Sequence, residues 1–139
     1  MPVPAKLRIN PVDVKKVPAT PPNQPVDERA QSYTVFQYPG GGMPLSSPFS
    51  GAVLATITIQ CTTYELGMFF QKEPQSLTVY WESPLSNSKG VTTCVDIDEY
   101  PNYMDLLRNE KSLWVSFGFG GTPLEAVISM QDGHPIPQS

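Results

Sequence analysis

The sequence predicts an all-β domain, an antiparallel β-sandwich or barrel of about six or seven short strands with one short helix, preceded by an extended proline-rich N-terminal arm. Three observations lead there. Seven of the sixteen prolines fall within the first 25 residues, at Pro2, Pro4, Pro11, Pro18, Pro21, Pro22 and Pro25. After Ala30 the chain changes to short alternating apolar and polar runs rich in Val, Ile, Thr, Phe, Tyr and Trp. Gly- and Pro-bearing segments separate these runs at short intervals. Proline fixes φ and removes a backbone donor, so the first segment suits neither a sheet interior nor a helix. The expected organisation is an arm over residues 1–30 and a single β-rich domain over residues 31–139.

Within the arm, Lys6, Leu7, Arg8 and Ile9 can pair as an edge strand before Pro11, and Val12, Asp13 and Val14 likewise. The remainder of the arm has no period and reads as extended, polyproline-like chain. Residues 33–38 form the first β-prone run of the domain and end at Pro39 followed by Gly40, Gly41 and Gly42, a strong breaker. Residues 43–50 carry Pro44 and Pro48 and read as a loop. Three consecutive glycines invite a phosphate cradle, but that motif needs a following helix and a lysine, and neither follows in sequence.

The clearest strand spans residues 51–63, with Val53, Ala55, Ile57, Ile59 and Cys61 on one face and Thr56, Thr58, Gln60 and Thr62 on the other. Residues 64–71 continue with Leu66, Met68 and Phe70 inward, and Gly67 is expected to mark a bulge or bend. A turn at 72–75 leads to a strand over 77–82 with Leu77, Val79 and Trp81 inward, which leaves Tyr80 outward. After a loop at 84–90, the run 91–98 places Val91, Thr93, Val95 and Ile97 inward and Thr92, Cys94, Asp96 and Asp98 outward. The one helical candidate lies at 100–111, capped by Asn102, with Tyr103, Leu106 and Leu107 on one face. Strands at 113–119 and 124–130 close the domain, with Trp114 outward on the first.

A domain of this size buries a core without needing disulfides or a metal. The net charge of −4 hides an asymmetry: residues 1–30 sum to +2 and residues 31–139 to −6. An acidic domain repels phosphate, which disfavours nucleic acid as its ligand. The first eight residues run into proline and charge rather than an apolar signal segment, and no run reaches the ~18 apolar residues that span a bilayer. The expected location is therefore cytoplasmic or within a virion, with no membrane partner. Cys61 and Cys94 fall on faces of opposite parity, which speaks against a disulfide between them.

No catalytic, metal or cofactor site is expected. Asp96, Asp98 and Glu99 form the densest acidic group, but a Ca²⁺ site needs six or more oxygens and no second acidic cluster accompanies them. Asp96, Asp98 and Glu99 read instead as a solvated face leading into a helix whose dipole they complement. His134, the sole histidine, is the sixth residue counting back from Ser139 and sits beside two prolines, a poor place for a general base. The binding residues expected are the outward aromatics Tyr80 and Trp114, and the arm cations Lys6, Arg8, Lys15 and Lys16.

The function that follows is non-enzymatic association. An arm with few internal contacts gains order by binding, and its prolines lower the entropy lost in doing so. The expected partner is another copy of the chain or another protein subunit, met through the arm. Small viral or phage structural subunits share this shape, as an analogy of architecture alone. The alternative is a ligand-binding module for carbohydrate, peptide or single-stranded nucleic acid, using exposed Tyr and Trp on a sheet face.

Overall fold

The computed structural model describes residues 6–9, 22–45, 49–83, 88–109, 113–119 and 126–130. Eight of its ten strands form one hydrogen-bonded sheet: β1 (Lys6–Ile9), β2 (Val26–Gln37), β5 (Ala55–Cys61), β6 (Glu65–Gln71), β7 (Thr78–Ser83), β8 (Ser88–Asp96), β9 (Leu113–Phe117) and β10 (Ala126–Met130). Their spatial order is β1-β10-β9-β2-β5-β6-β8-β7. A small hairpin, β3 (Met43–Pro44) with β4 (Ala52–Val53), stands apart, and α1 (Tyr100–Asn109) joins β8 to β9. The described residues are thus mainly β with one short α-helix, as expected. The expected antiparallel sandwich or barrel is corrected to one mixed sheet, whose strands from β9 to β7 curl into a half-barrel.

The mixed character comes from β6 and β8, which run parallel with Leu66 opposite Val91 and Phe70 opposite Val95. The chain leaves β6, forms β7 one place further out, and turns back so that β8 fills the gap between them. Parallel neighbours need a long connection. Here β7 supplies it instead of a helix.

Alternation places the core on the concave face. Ala55, Ile57, Ile59 and Cys61 of β5 and Leu66, Met68 and Phe70 of β6 are buried, as their period predicts, as are Leu113, Val115 and Phe117 of β9. The helix lays Tyr103, Met104, Leu106 and Leu107 into the same core. Phe70 meets the rings of Tyr100 and Tyr103 at 5.2 and 5.8 Å, joining sheet to helix. At the other end of the curl, Tyr80 of β7 reaches Phe119, beyond β9, at 5.5 Å, so side chains bridge the opening that backbone pairing leaves.

Several local expectations are corrected. Strand β2 begins at Val26, so the boundary expected at residue 30 falls inside a strand. Val26–Arg29 pair with β9 on one side, then Ala30–Gln37 pair with β5 on the other, with a register shift between Ala30 and Ser32. Glu28 fixes this handover: its buried carboxylate accepts from the amides of Thr63 and Tyr64 at 2.8 and 2.9 Å, capping the turn between β5 and β6. The loop expected at 43–50 contains β3, and the run 51–63 is interrupted at Leu54, whose amide still donates to the Phe70 carbonyl at 2.8 Å. Gly67 pairs in regular register with Thr58 and Thr92, so it marks close packing rather than a bulge. A Cβ there would lie 3.1 Å from the Thr92 hydroxyl.

The helix start also differs. Asp96 caps a 3-10 turn over Ile97–Glu99 by accepting from the Asp98 amide at 2.9 Å, and the helix follows with Pro101 in its first turn. Proline suits that turn because its missing N–H has no helical partner there. Asn102, expected as the cap, instead donates to Glu99 at 3.2 Å. Of the arm, Lys6–Ile9 forms the edge strand its sequence suggested. The pairing expected at 12–14 and the first two residues of the strand expected at 124–130 lie outside the described residues.

Candidate association surface

The expected aromatic face does not form. Tyr80 is 1% exposed and turned into the core, where its hydroxyl donates to Glu82 at 2.6 Å. The parity of β7 is the reverse of the expected one, and its pattern hides this because both faces are covered: Leu77, Thr78, Val79 and Tyr80 are all buried. Thr78 tolerates the interior by hydrogen bonding Thr93 at 2.9 Å, which satisfies both hydroxyls. Trp81, expected inward, is half-buried on the convex face and donates through Nε1 to Thr92 Oγ1 at 3.0 Å. Trp114 is half-buried on the convex side of β9, alternating with buried Leu113 and Val115. Tyr80 and Trp114 therefore stand on opposite faces.

The register brings Trp114 together with an arm residue instead. Lys6 lies opposite Ser129, Ser129 opposite Trp114, and Trp114 opposite Arg29, so four strands contribute one row across the sheet. A parallel row runs through Arg8, Val127, Ser116 and Asp27. Lys6 and Arg8 thus hold register positions in the rows of Trp114 and of Ser116. Among the expected binding residues, Lys6, Arg8 and Trp114 are thus gathered, Tyr80 is separated from them, and Lys15 and Lys16 lie outside the described residues.

What builds this surface is backbone pairing at the end of the sheet. The arm strand β1 takes its ladder from β10, with Lys6, Leu7, Arg8 and Ile9 opposite Ser129, Ile128, Val127 and Ala126. In the strand order β1 and β7 are the terminal members. A terminal strand presents unpaired amides and carbonyls on its outer side, and such edges pair with added strands.

Other features are weaker as sites. Asp96 is occupied as a cap, and Asp98 sits in the 3-10 turn rather than on the strand face where the run 91–98 placed it. Among the described residues no group of three or more His, Cys, Asp or Glu side chains is placed to hold a metal, and no helix is long and apolar enough to cross a membrane. His134 lies outside the described residues. Cys61 is buried on the concave face and Cys94 half-buried on the convex one. Burial pushes the Cys61 thiol from its ordinary 9.0 up to about 12, with Glu28 adding to the effect. Burial also carries Cys94 to about 12, although a hydrogen bond with Gln75 acts the other way. Both thiols are protonated at neutral pH, unlike a nucleophilic cysteine, whose pKa is lowered.

Two clefts escaped the sequence. One of about 310 Å³ runs along α1 between Gln37, Tyr100, Met104, Asp105 and Arg108, with Gln37 donating to the Tyr100 hydroxyl at 2.9 Å. The other, about 560 Å³, is lined by Gly40, Gly41, Gly51, Leu54, Gln71 and Lys72 among others. The lysine absent near the glycine run in sequence is thus supplied by the turn after β6. Glu73 stands beside it on the same wall, and no helix follows the glycines, so this is not a phosphate cradle. Instead Gln71, 3% exposed, donates to the carbonyls of Ser50 and Ala52 at 2.8 and 3.4 Å and accepts from Gln75, clasping the loop to the sheet. Ser50 and Ala52 lie 21 and 19 residues from Gln71, so no local signal announces the clasp. No protein-family model, no curated protein and no solved structure matches the chain.

Proposed function

We propose that this protein works by association, as a non-enzymatic structural or assembly subunit whose N-terminal segment docks as a β-strand on a sheet edge of a neighbour. One observation carries the reading. The part of the arm that is described, Lys6–Ile9, takes part in the fold as an added edge strand, paired through its backbone with β10. Addition of an extended segment to a sheet edge is a general mode of protein recognition, with affinity from main-chain hydrogen bonds. Charge supports it, since the first 30 residues carry +2 and the rest −6, so a neighbour attracts the arm before the ladder forms.

The test uses the whole chain, because a deletion placed at residue 30 would remove Glu28 and the strand that hands the sheet over. Leu7→Pro combined with Arg8→Pro puts proline at two successive strand positions, so one of them faces β10 and forfeits a ladder bond. Light scattering over a concentration series should show a defined oligomer for the native chain and single chains for the variant. Circular dichroism would confirm that the variant keeps its β signal. Single chains for both proteins, or an oligomer unchanged by the prolines, would refute the reading.

A further inference from the structure

We propose that the cleft between the glycine turn after β2 and the turn after β6 binds a small zwitterion with an apolar body, the chemistry of a free apolar amino acid. This goes beyond the association reading and does not depend on it. The cleft, about 560 Å³, falls within the roughly 300–1,000 Å³ of small-molecule sites. Its apolar lining comes from Ala52 and Leu54.

The lining is held in place before any ligand arrives. The Leu54 amide donates to the Phe70 carbonyl at 2.8 Å, and the Leu54 carbonyl accepts from the Tyr38 amide at 2.9 Å. Leu54 is thus tied to β6 and to the residue that follows β2. The loop before β4 is fixed as well. Gln71 and Gln75 both donate to the Ser50 carbonyl, at 2.8 and 2.6 Å, and the Ser50 amide donates to Gln75 at 3.1 Å. A preorganised site loses less entropy on binding.

Two features point to a ligand. The first is Gly41. Gly40 has a φ of 68° and needs glycine for its backbone, whereas Gly41 is not in that region, and a Cβ added to it would meet nothing within 4 Å. Neither backbone nor packing demands glycine at 41, although glycine costs conformational entropy on folding. What the missing side chain leaves is bare backbone at the cleft.

The second is the pair Lys72 and Glu73. Neighbours in an extended strand point to opposite sides, but the chain bends here after β6 and both residues line the one cleft. Both are exposed, and among the described residues neither is taken up by a hydrogen bond or an ion pair. A lone anion meets a like charge at Glu73, and a lone cation meets one at Lys72. A ligand with an ammonium and a carboxylate on one carbon meets an opposite charge with each. Ala52 and Leu54 then receive its side chain. Both charges stand in water, so binding is expected to be weak and to fade with salt.

The probes are L-leucine, L-leucinamide, which keeps only the ammonium, and N-acetyl-L-leucine, which keeps only the carboxylate. Each is titrated into the isotope-labelled full chain and followed by NMR. L-leucine should shift the amides of Gly40, Gly41, Gly51 and Leu54 saturably, and each blocked form should bind about fivefold more weakly. Lys72→Ala and Glu73→Ala should each weaken L-leucine by a similar factor and leave the melting temperature unchanged, since neither side chain has a partner in the fold. The Leu7→Pro and Arg8→Pro variant should bind L-leucine like the native chain, which separates this site from association through the arm. Equal binding of L-leucinamide would assign the cleft to an ammonium alone, and equal binding of N-acetyl-L-leucine to a carboxylate alone; either would overturn the proposal. So would the absence of shifts at these amides with L-leucine at its solubility limit.

Discussion

Phe70→Ala is expected to be strongly destabilising, lowering stability by about 4 kcal/mol and the melting temperature by about 15 °C. Phe70 is fully buried near the end of β6, with Ala55 of β5 on one side and Val95 of β8 on the other. Its ring meets Tyr100 edge-on at 5.2 Å and Tyr103 at 5.8 Å, so it is a principal contact by which the helix is held to the sheet. Removing it loses the transfer free energy of an aromatic ring and leaves a cavity between two elements that cannot close without moving the helix. Native domains have only about 5–15 kcal/mol in reserve. Urea denaturation followed by tryptophan fluorescence measures the loss. A change under about 1 kcal/mol would mean that the helix does not pack where the sheet places it.

Gly90→Ala is expected to cost about 3 kcal/mol although it adds only one methyl group. Gly90 is buried on β8, between Glu65 of the parallel strand β6 and Trp81 of β7. A Cβ at this position would collide with the backbone of Glu65, at its carbonyl oxygen and at 2.9 Å from its nitrogen. Backbone cannot rotate away as a side chain can, so the two strands must separate and the ladder between them weakens. Gly67→Ala is the matching control. It meets only the Thr92 side chain, at 3.1 Å, and should cost about 1 kcal/mol or less. Thermal melts of the two variants side by side distinguish a steric requirement from the general cost of altering a strand glycine. Equal small effects would show that β6 and β8 do not approach this closely.

Which parts of this fold were legible in the sequence follows from what each strand faces. The alternation in β5 and β9 was readable because each has one buried and one wetter face, as Ala55 to Cys61 and Leu113 to Phe117 show. The same reasoning failed at β7, where both faces are covered and a paired Thr78 replaces the apolar residue that the pattern demanded. The start of β2 is not legible because Asp27, Glu28 and Arg29 follow Pro25 and read as arm. Glu28 is buried only because two amides from a turn some 35 residues away bind it, and no local pattern reports such a partner. Strand order is likewise non-local. The parallel pairing of β6 with β8 depends on where β7 docks, which composition and period do not encode.

The candidate surface was legible in halves. Lys6, Arg8 and Trp114 were each singled out by residue type, but their shared rows arise from the register of β1, β10, β9 and β2. Tyr80 was misplaced with β7. The edge strand at Lys6–Ile9 was readable because four residues free of proline interrupt a proline-rich text.

The central proposal is that the N-terminal segment docks as a β-strand on a sheet edge of another molecule, and amide hydrogen exchange over Ala126–Met130, the strand against which Lys6–Ile9 pairs, tests it most directly. Native protein is equilibrated at high concentration and at a dilution where light scattering reports single chains, then pulsed with deuterium and read by mass spectrometry. Protection of these amides at high concentration and its loss on dilution is the predicted result. Equal protection at both concentrations would contradict it, since the strand would then come from the same chain.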